Sequence, residues 1–189
     1  MDPKARAMPG SEEWTLRPAR RRDAAVLGRV HTLCWRETYR DLLPEAMLSR
    51  LSAADRAATW RAVLAAPGDA DAMRVWLVEE DGAIVGFGSC GPQRSRTLAK
   101  AGYDGEVSTL YLLKRVQRRG IGSALLRALA TELAAGGCGA ASLWVLKQNQ
   151  AARRFYERRG GVLLAEVPGP NGRAGLAEVA YGWRDLVRL

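Results

Sequence analysis

Histidine, cysteine and long apolar runs are all scarce in this sequence. There is one histidine, His31, and it has no acidic or cysteine partner pattern nearby, which argues against a metal site or a catalytic triad. The three cysteines, Cys34, Cys90 and Cys138, lie far apart and lack the paired spacing of a zinc site or a redox motif. We therefore expect reduced, mostly buried thiols and no bound metal.

No stretch reaches the roughly 18 consecutive apolar residues that a membrane-spanning helix requires. The segment Met1–Gly10 also lacks the apolar core of a secretory signal, so we expect a cytoplasmic protein with no membrane partner. The chain has 189 residues, 48% of them hydrophobic, which suits one globular domain. Residues 1–11 contain proline and glycine but no periodicity, and are predicted to be a flexible arm ahead of a single domain at 12–189.

The formal net charge of +9 raises the possibility of a polyanionic partner such as nucleic acid. However, the basic residues are mostly arginines spread along the chain in an alanine- and glycine-rich background, which is more typical of a solvated surface. We therefore predict no nucleic-acid partner. A local cluster at Arg115, Arg118 and Arg119 stands apart from this background.

The first half of the chain predicts a strand, a helical block and a hairpin. Asp23 is a candidate N-cap for a first helix running towards Arg40, because apolar residues follow it at helical spacing. The dipeptide Asp81-Gly82 is a strong hairpin signal between two runs rich in β-branched residues. The predicted elements are a strand at Glu13–Pro18, further helical segments from Pro44 and Ser52 through Ala66 that stop at Pro67-Gly68-Asp69, and strands at Met73–Glu79 and Ala83–Ser89.

The second half alternates strands and helices. The run Ala141–Leu146 is apolar throughout, which predicts a central strand buried on both faces. The other predicted elements are a polar loop at Gly91–Gly105, a strand at Glu106–Leu113, a helix from Ile121 to Gly136-Gly137, a helix at Asn149–Arg159, and a hairpin of Val162–Val167 and Leu176–Trp183 around Pro168–Gly175. Together these predict an α/β fold with a central twisted, mixed and mostly antiparallel sheet of about six to seven strands, flanked by about four helices.

A glycine-containing segment, Gln117–Ser123, lies between a predicted strand and a predicted helix. A helix start exposes unpaired backbone N–H groups and the positive end of the helix dipole, and glycines let a phosphate approach the main chain. The segment is too short for a dinucleotide fingerprint and lacks the Lys-Ser/Thr of a P-loop, which argues against NAD binding and nucleotide hydrolysis. It predicts a pyrophosphate site, with a tight strand–helix turn as the alternative.

Two motifs in order resemble those of the GNAT acetyltransferases. Gln117, Gly120 and Gly122 fill the family's Gln/Arg-x-x-Gly-x-Gly/Ala pattern. The later run from Asn149 to Gly160 resembles its Asn-x-x-Ala-x-x-Phe-Tyr-x-x-x-Gly helix. Many members have Asp-Pro where this chain has Leu113-Lys114, so we expect a less rigid turn there, with Lys114 as a further phosphate contact.

The resemblance implies a GNAT-like fold and acetyl-CoA as cosubstrate. It implies that the main chain at the strand end contacts the pantetheine arm, and that the segment after the strand holds the pyrophosphate. The implied contacts are Leu110, Tyr111 and Leu112 for the former, Gln117, Arg118, Arg119, Gly120, Ile121, Gly122 and Ser123 for the latter, and Asn149 for the pantetheine arm as well as for capping its helix. Leu112 is also the matching N–H donor to the oxyanion.

The resemblance also implies two catalytic residues. Glu106 lies six residues before Leu112, where many members have a carboxylate that removes the ammonium proton through water; the alternative is an exposed carboxylate paired with an arginine. Tyr156 matches the tyrosine that donates a proton or hydrogen bond to the CoA sulfur, and Phe155 beside it is expected to be an aromatic anchor. Trp144 is found where some relatives that acetylate protein N-termini have a glutamate.

The acceptor is expected to be a primary amine on a small molecule or a protein, and Trp35 and Tyr39 are candidate acceptor contacts. These two aromatics alternatively belong to the core, because they recur at helical spacing. The predicted activity is N-acetyl transfer by direct attack in a ternary complex, by a monomer or homodimer. The alternative is a non-catalytic acyl-CoA-binding module, which would need the phosphate-binding segment but neither Glu106 nor Tyr156.

Overall fold

The structure is a computed structural model that describes residues 14–65, 73–168 and 176–189. Its strands form one seven-stranded sheet in the order β1-β2-β3-β4-β5-β7-β6. Only β4 and β5 are parallel, so the predicted mixed, mostly antiparallel sheet is confirmed. The strands are β1 (Trp14–Pro18), β2 (Arg74–Glu80), β3 (Ala83–Pro92), β4 (Gly105–Leu112), β5 (Ala141–Leu146), β6 (Val162–Pro168) and β7 (Ala177–Trp183).

Six α-helices occur in the described residues, where about four were predicted. The difference comes from single turns, and one of them, α4, falls inside the segment predicted as a polar loop. Ser95 accepts a hydrogen bond from the Leu98 N–H (3.4 Å) and so caps this short turn, which has no apolar periodicity to reveal it. The helices are α1 (Ala24–Tyr39), α2 (Glu45–Leu48), α3 (Ala53–Ala65), α4 (Arg96–Lys100), α5 (Ile121–Ala135) and α6 (Gln150–Arg158).

Some sequence predictions fall outside the described residues: the arm at 1–11, Glu13, the stop at 67–69 and the turn at 169–175. The prediction that Asp23 is the N-cap of α1 is confirmed in position, although its side chain makes no capping hydrogen bond to the helix. Its carboxylate instead accepts from the backbone N–H of Arg20 (2.7 Å) and pairs with Arg17 (2.8 Å). The side chain therefore closes the 3-10 turn before α1 and ties it to β1.

The two faces of the sheet carry different helices. Phe87 in β3 packs in the cluster that includes α1 residues, whereas a Cβ on the next residue, Gly88, would lie 2.7 Å from a methyl carbon of Leu129 in α5. Side chains alternate between faces along a strand. We call the side covered by α1, α2 and α3 the α1 face, and the side covered by α5 and α6 the α5 face.

The strand β5 is central, as predicted. Leu143 and Val145 pack in the α5-face core with α5 and β7, while Trp144 and Leu146 face the other side, where Leu146 meets Tyr39. The strand pairs with β4 on one edge and β7 on the other. Because both faces and both edges are used, five of its six residues are apolar, and the exception, Ser142, is buried.

Candidate active site

The sheet opens between β4 and β5. The two strands pair only at Gly105–Ala141 and Glu106–Ser142. Further along, β4 continues against β3 through a register shift between Ser89 and Cys90, while β5 continues against β7. A bulge bends a strand and increases its twist, so the far ends of β4 and β5 border a gap in the middle of the sheet.

The edge of β4 that borders this gap presents main-chain groups. The Leu113 N–H donates to the Val85 carbonyl at 2.9 Å, so alternate residues of this ladder face β3. Tyr111 lies opposite Phe87 on that hydrogen-bonding side. By the same alternation the N–H groups of Leu110 and Leu112 point towards the gap. Of the three residues predicted at the strand end, these two have main-chain groups oriented for a ligand.

The segment after β4 forms a concave backbone turn at the start of α5. Arg118 has φ 66° and Gly120 has φ 80°, both left-handed, with Arg119 between them. The N–H groups of Ser123 and Ala124 donate to the Gly120 carbonyl at 3.0 and 3.1 Å. The N–H groups before them have no intrahelical acceptor, and such a turn at a helix start makes an anion-binding nest. We call residues 117–123 the phosphate loop.

Two of the arginines near this loop are held by a carboxylate of β2. Glu80 is buried, and its two oxygens bind Arg115 (2.6 Å) and Arg119 (2.7 Å). Hydrogen bonds from Arg119 and Arg115 keep the pKa of Glu80 below its usual range. Two members of the basic cluster noted in the sequence, Arg115 and Arg119, are therefore ion-paired within the protein. Their partner Glu80 was not identified from the sequence.

Arg153, in the second motif, is bound within the fold. Its guanidinium donates to the Tyr181 hydroxyl (3.1 Å) and the Lys147 carbonyl (3.2 Å), which ties α6 to β7 and β5. Arg118 and Arg154 are solvent-exposed. Neither of these two side chains has an ion pair or a hydrogen bond among the described residues, unlike those of Arg115, Arg119 and Arg153.

The turn that enters the phosphate loop is tied down, contrary to the less rigid turn expected from Leu113-Lys114. The backbone N–H of Lys114 donates to Glu37 of α1 at 2.7 Å, a bond that a proline could not make. The side-chain amide of Gln117 donates to the Leu112 carbonyl at 2.9 Å. Lys114 thus contributes through its backbone, and Gln117 braces the strand end against the loop.

Glu106 is buried on the α1 face and pairs with Arg94. Its carboxylate accepts from the Arg94 backbone N–H (3.1 Å) and from the Nε of the same residue (3.2 Å), and Nη2 makes a further ion pair with it. The predicted pairing with an arginine is present, but the carboxylate is not exposed. Neighbouring Gln93 donates to Ser142 of β5 at 2.6 Å, which anchors the segment that carries Arg94.

A cavity of about 230 Å³ adjoins this ion pair. It lies beside the bulge of β4 and is lined in part by Arg94, so a molecule there would meet the partner of Glu106. Its lining residues are Met73, Gly91, Pro92, Gln93, Arg94 and Ser108.

The helix α6 begins and packs as the second motif predicts. Asn149 caps it by accepting from the Ala152 N–H at 3.1 Å. Tyr156 is buried, with its ring near those of Phe155 (5.3 Å) and Trp183 (6.1 Å). Burial raises the pKa of the Tyr156 phenol, and the nearby Tyr39 adds to that rise. Phe155 is partly buried against the α5-face core, in keeping with its predicted anchoring role, and a Cβ at Gly122 would lie 3.5 Å from its ring.

Aromatic side chains line the α1 face beside the gap. The hydroxyl groups of Tyr39 and Tyr111 lie 3.4 Å apart, and the ring of Trp35 is 4.8 Å from that of Tyr39. His31 lies deeper, where the Trp60 indole donates to its Nδ1 at 3.2 Å. Burial lowers the pKa of His31 to about 3, so it is a neutral core residue.

The cysteines, the potential metal ligands and the helices of the described residues bear on the remaining expectations. The three cysteines are free thiols, and burial raises the pKa of Cys34 and Cys90 to about 12. Across the described ranges there is no cluster of three potential metal ligands. None of the helices described is both long and apolar enough to cross a bilayer.

Comparison with known proteins places this geometry in a family. The profile of the Acetyltransferase (GNAT) family matches residues 31–161. An uncharacterized N-acetyltransferase of Bacillus subtilis strain 168, YuaI, is 32% identical over 93% of this chain and 95% of its own length.

Solved structures show the same fold at lower identity. The PaiA N-acetyltransferase of Thermoplasma acidophilum, solved with coenzyme A, superposes with a TM-score of 0.73 at 16% identity, covering 91% of this chain and 99% of that one. YncA of Salmonella typhimurium, solved with acetyl-CoA, gives a TM-score of 0.64 at 22% identity, covering 90% and 93%. This chain, with its opened sheet, phosphate loop and capped α6, belongs to the GNAT family of N-acetyltransferases.

Proposed function

We propose that this chain transfers the acetyl group of acetyl-CoA to a primary amine, by direct attack within a ternary complex in a single domain spanning 12–189. The observation that carries the proposal is the gap between β4 and β5, because it exposes the Leu110 and Leu112 N–H groups in line with the phosphate loop. PaiA and YncA were solved with coenzyme A and acetyl-CoA, which supports the same ligand here.

The described residues fit that ligand. The nest around Arg118 and Gly120 suits a pyrophosphate, and the β4 edge offers N–H donors to the amide groups of the pantetheine arm. Bound acetyl-CoA supplies an activated acetyl group as a thioester. The Leu112 N–H is our candidate donor to the oxyanion that develops at the thioester carbonyl.

Glu106 is the proposed general base. An acceptor amine arrives as an ammonium ion and must lose a proton before it attacks. Arg94 competes with the acceptor for the Glu106 carboxylate, because its side chain donates to both carboxylate oxygens. We therefore propose that Glu106 accepts the proton through a bridging water, and that binding of the acceptor displaces Arg94, whose side chain is 66% exposed.

Tyr156 is the proposed partner of the departing sulfur. Because its raised pKa keeps the phenol protonated at neutral pH, it can donate a hydrogen bond to a thiolate. A buried phenol gives up its proton reluctantly, so stabilisation of the thiolate is the larger part of this role. Asn149, at the start of the same helix, is the proposed contact to the pantetheine arm.

A non-catalytic acyl-CoA-binding module is the second candidate. The ion pair between Glu106 and Arg94 favours this module, because a carboxylate that stays paired with an arginine cannot act as a general base. The two candidates share the phosphate loop but differ in whether Glu106 and Tyr156 are needed.

The test follows release of the CoA thiol from acetyl-CoA over a panel of amino acids, polyamines, aminoglycosides and peptides with free N-termini. We expect acceptor-dependent release by wild type, with kcat reduced about 100-fold in Glu106→Gln and tenfold or more in Tyr156→Phe. Phe155→Leu is the matched control for repacking α6. Tight acetyl-CoA binding without release on any amine would favour the binding module.

A further inference from the structure

One carboxylate on the α1 face has only apolar neighbours in the sheet. Glu178 of β7 lies opposite Leu146 of β5 and opposite Val167 of β6. Two positions further along its own strand, on the same face, is Ala180, and two positions before it, just ahead of the strand, is Leu176. A half-buried glutamate surrounded in this way loses hydration without gaining a hydrogen-bond donor.

The buried carboxylates of the described ranges are each paired with arginine. Asp23 binds Arg17, Glu80 binds two arginines, and Glu106 binds Arg94. For Glu178 the described residues provide neither an ion pair nor a side-chain hydrogen bond. Burial raises the pKa of its carboxyl group accordingly. Glutamates are almost never fully buried unless they are paired, and a half-buried glutamate with a raised pKa is a candidate binding group.

The position of Glu178 links it to the candidate acceptor site. Leu146 and Leu176, which flank it, pack in the cluster that contains Tyr39, with Trp35 and Tyr111 against it. Burial raises the pKa of Tyr39, and the Glu178 carboxylate adds to that rise. Glu178 therefore lies beside the aromatic lining, on the face where Glu106 also lies.

The carboxylates of Glu106 and Glu178 lie at different places on this face. Glu106 is next to Ser142, and Glu178 is opposite Leu146, four residues further along β5 and one strand beyond it. At about 3.3 Å per residue this separates them by roughly 13 Å along the strand direction. One small ammonium group cannot pair with both.

We propose that Glu178 binds a second cationic group on the acceptor, so that the preferred substrates carry a positive charge in addition to the amine that is acetylated. This inference rests on the proposed acetyl transfer. The attacking nitrogen must be uncharged when it reacts, so it cannot neutralise a carboxylate in the reactive complex. A second group that stays protonated can, and the ring of Tyr39 favours a cation as well. The neighbouring Trp35 ring already has a cation over it, the guanidinium of Arg56 at 5.0 Å from its centroid.

The test uses three acceptors of equal chain length whose far ends differ in charge: 1,6-diaminohexane, n-hexylamine and 6-aminohexanoate. For wild type we expect kcat/KM to fall in that order, with the difference mostly in KM. Glu178→Gln is expected to lose about tenfold in kcat/KM for the diamine and little for n-hexylamine. Glu166→Gln is the matched control, because Glu166 pairs with Lys147 (2.7 Å) on the other face of the same hairpin.

Each outcome bears on one of the two proposals. Equal use of the three acceptors by wild type, or a Glu178→Gln variant that keeps the diamine preference, overturns the role of Glu178 while acetyl transfer stands. A uniform loss of kcat on all three acceptors would make Glu178 part of the chemistry and also overturn it.

A binding readout keeps the role of Glu178 testable without turnover. If wild type transfers acetyl to none of the acceptors, calorimetric titration of 1,6-diaminohexane into protein saturated with CoA decides the matter. Weaker binding by Glu178→Gln than by wild type and Glu166→Gln supports the carboxylate site even though the proposed function has failed, and equal binding refutes it.

Discussion

At the scale of single residues, the chemistry of a side chain depends on its neighbours more than on its place in a motif. The sequence motif singled out Glu106, but its partner Arg94 lies in a segment that reads as an undistinguished polar loop. The ion pair forms because β4 and the end of β3 bring the two together, twelve positions apart in sequence. Motif reading therefore found the carboxylate and missed the arginine that controls it.

His31 shows the same dependence on surroundings, and its burial has a consequence for stability. Its pKa is lowered to about 3 from an ordinary value of 6.5, chiefly by burial. Between these values the unfolded chain binds a proton that the folded protein does not, so stability is lost as the pH falls below 6.5.

Replacing His31 by a residue that cannot titrate should remove this pH dependence. Between pH 7 and pH 5 the free energy of unfolding of wild type should fall by about 2 kcal/mol more than that of His31→Gln. The glutamine retains an oxygen that can accept from the Trp60 indole. Urea unfolding at both pH values measures the difference, and parallel losses in the two proteins would show that His31 is protonated in the fold.

At the scale of elements, the phosphate loop was predictable in position but not in its supports. The helix α5 and its glycines follow from local periodicity and turn chemistry. The two carboxylates that brace the loop, Glu37 and Glu80, come from α1 and β2, far away in the chain. No local pattern marks them, because a single glutamate at a helix or strand end is common in proteins.

Loss of the ion pairs that Glu80 makes with Arg115 and Arg119 should weaken cosubstrate binding. In Glu80→Gln the charges of Arg115 and Arg119 lose their buried partner, and the loop loses its fixed geometry. We expect KM for acetyl-CoA to rise roughly tenfold with kcat changed less than threefold. Steady-state kinetics at saturating acceptor measures both constants.

The adjacent residue offers a control for this variant. Glu79 pairs with Arg17 at 2.8 Å, away from the loop, so Glu79→Gln should leave KM for acetyl-CoA unchanged. If KM for acetyl-CoA is unchanged in Glu80→Gln as well, Arg115 and Arg119 do not need Glu80 to support cosubstrate binding. A loss of thermal stability with unchanged KM would point to a purely structural ion pair.

At the scale of the whole molecule, the sequence predicted the elements and the class of sheet, while the structure supplied the order of strands. Period-two patterning reveals a strand but not its neighbours, so nothing local indicates that β7 lies between β5 and β6. The same holds for the separation of β4 from β5, which depends on how far two strands stay paired. That separation creates the candidate cosubstrate site.

The most direct test of the account is to measure product and released CoA together. Wild-type protein is incubated with acetyl-CoA and the best amine of the panel, and mass spectrometry quantifies the acetylated amine against the free CoA thiol. We predict equal amounts of the two, with both strongly reduced in the Glu106→Gln/Tyr156→Phe double variant. Release of CoA without an acetylated amine, or neither product from a protein that binds acetyl-CoA tightly, would contradict acetyl transfer.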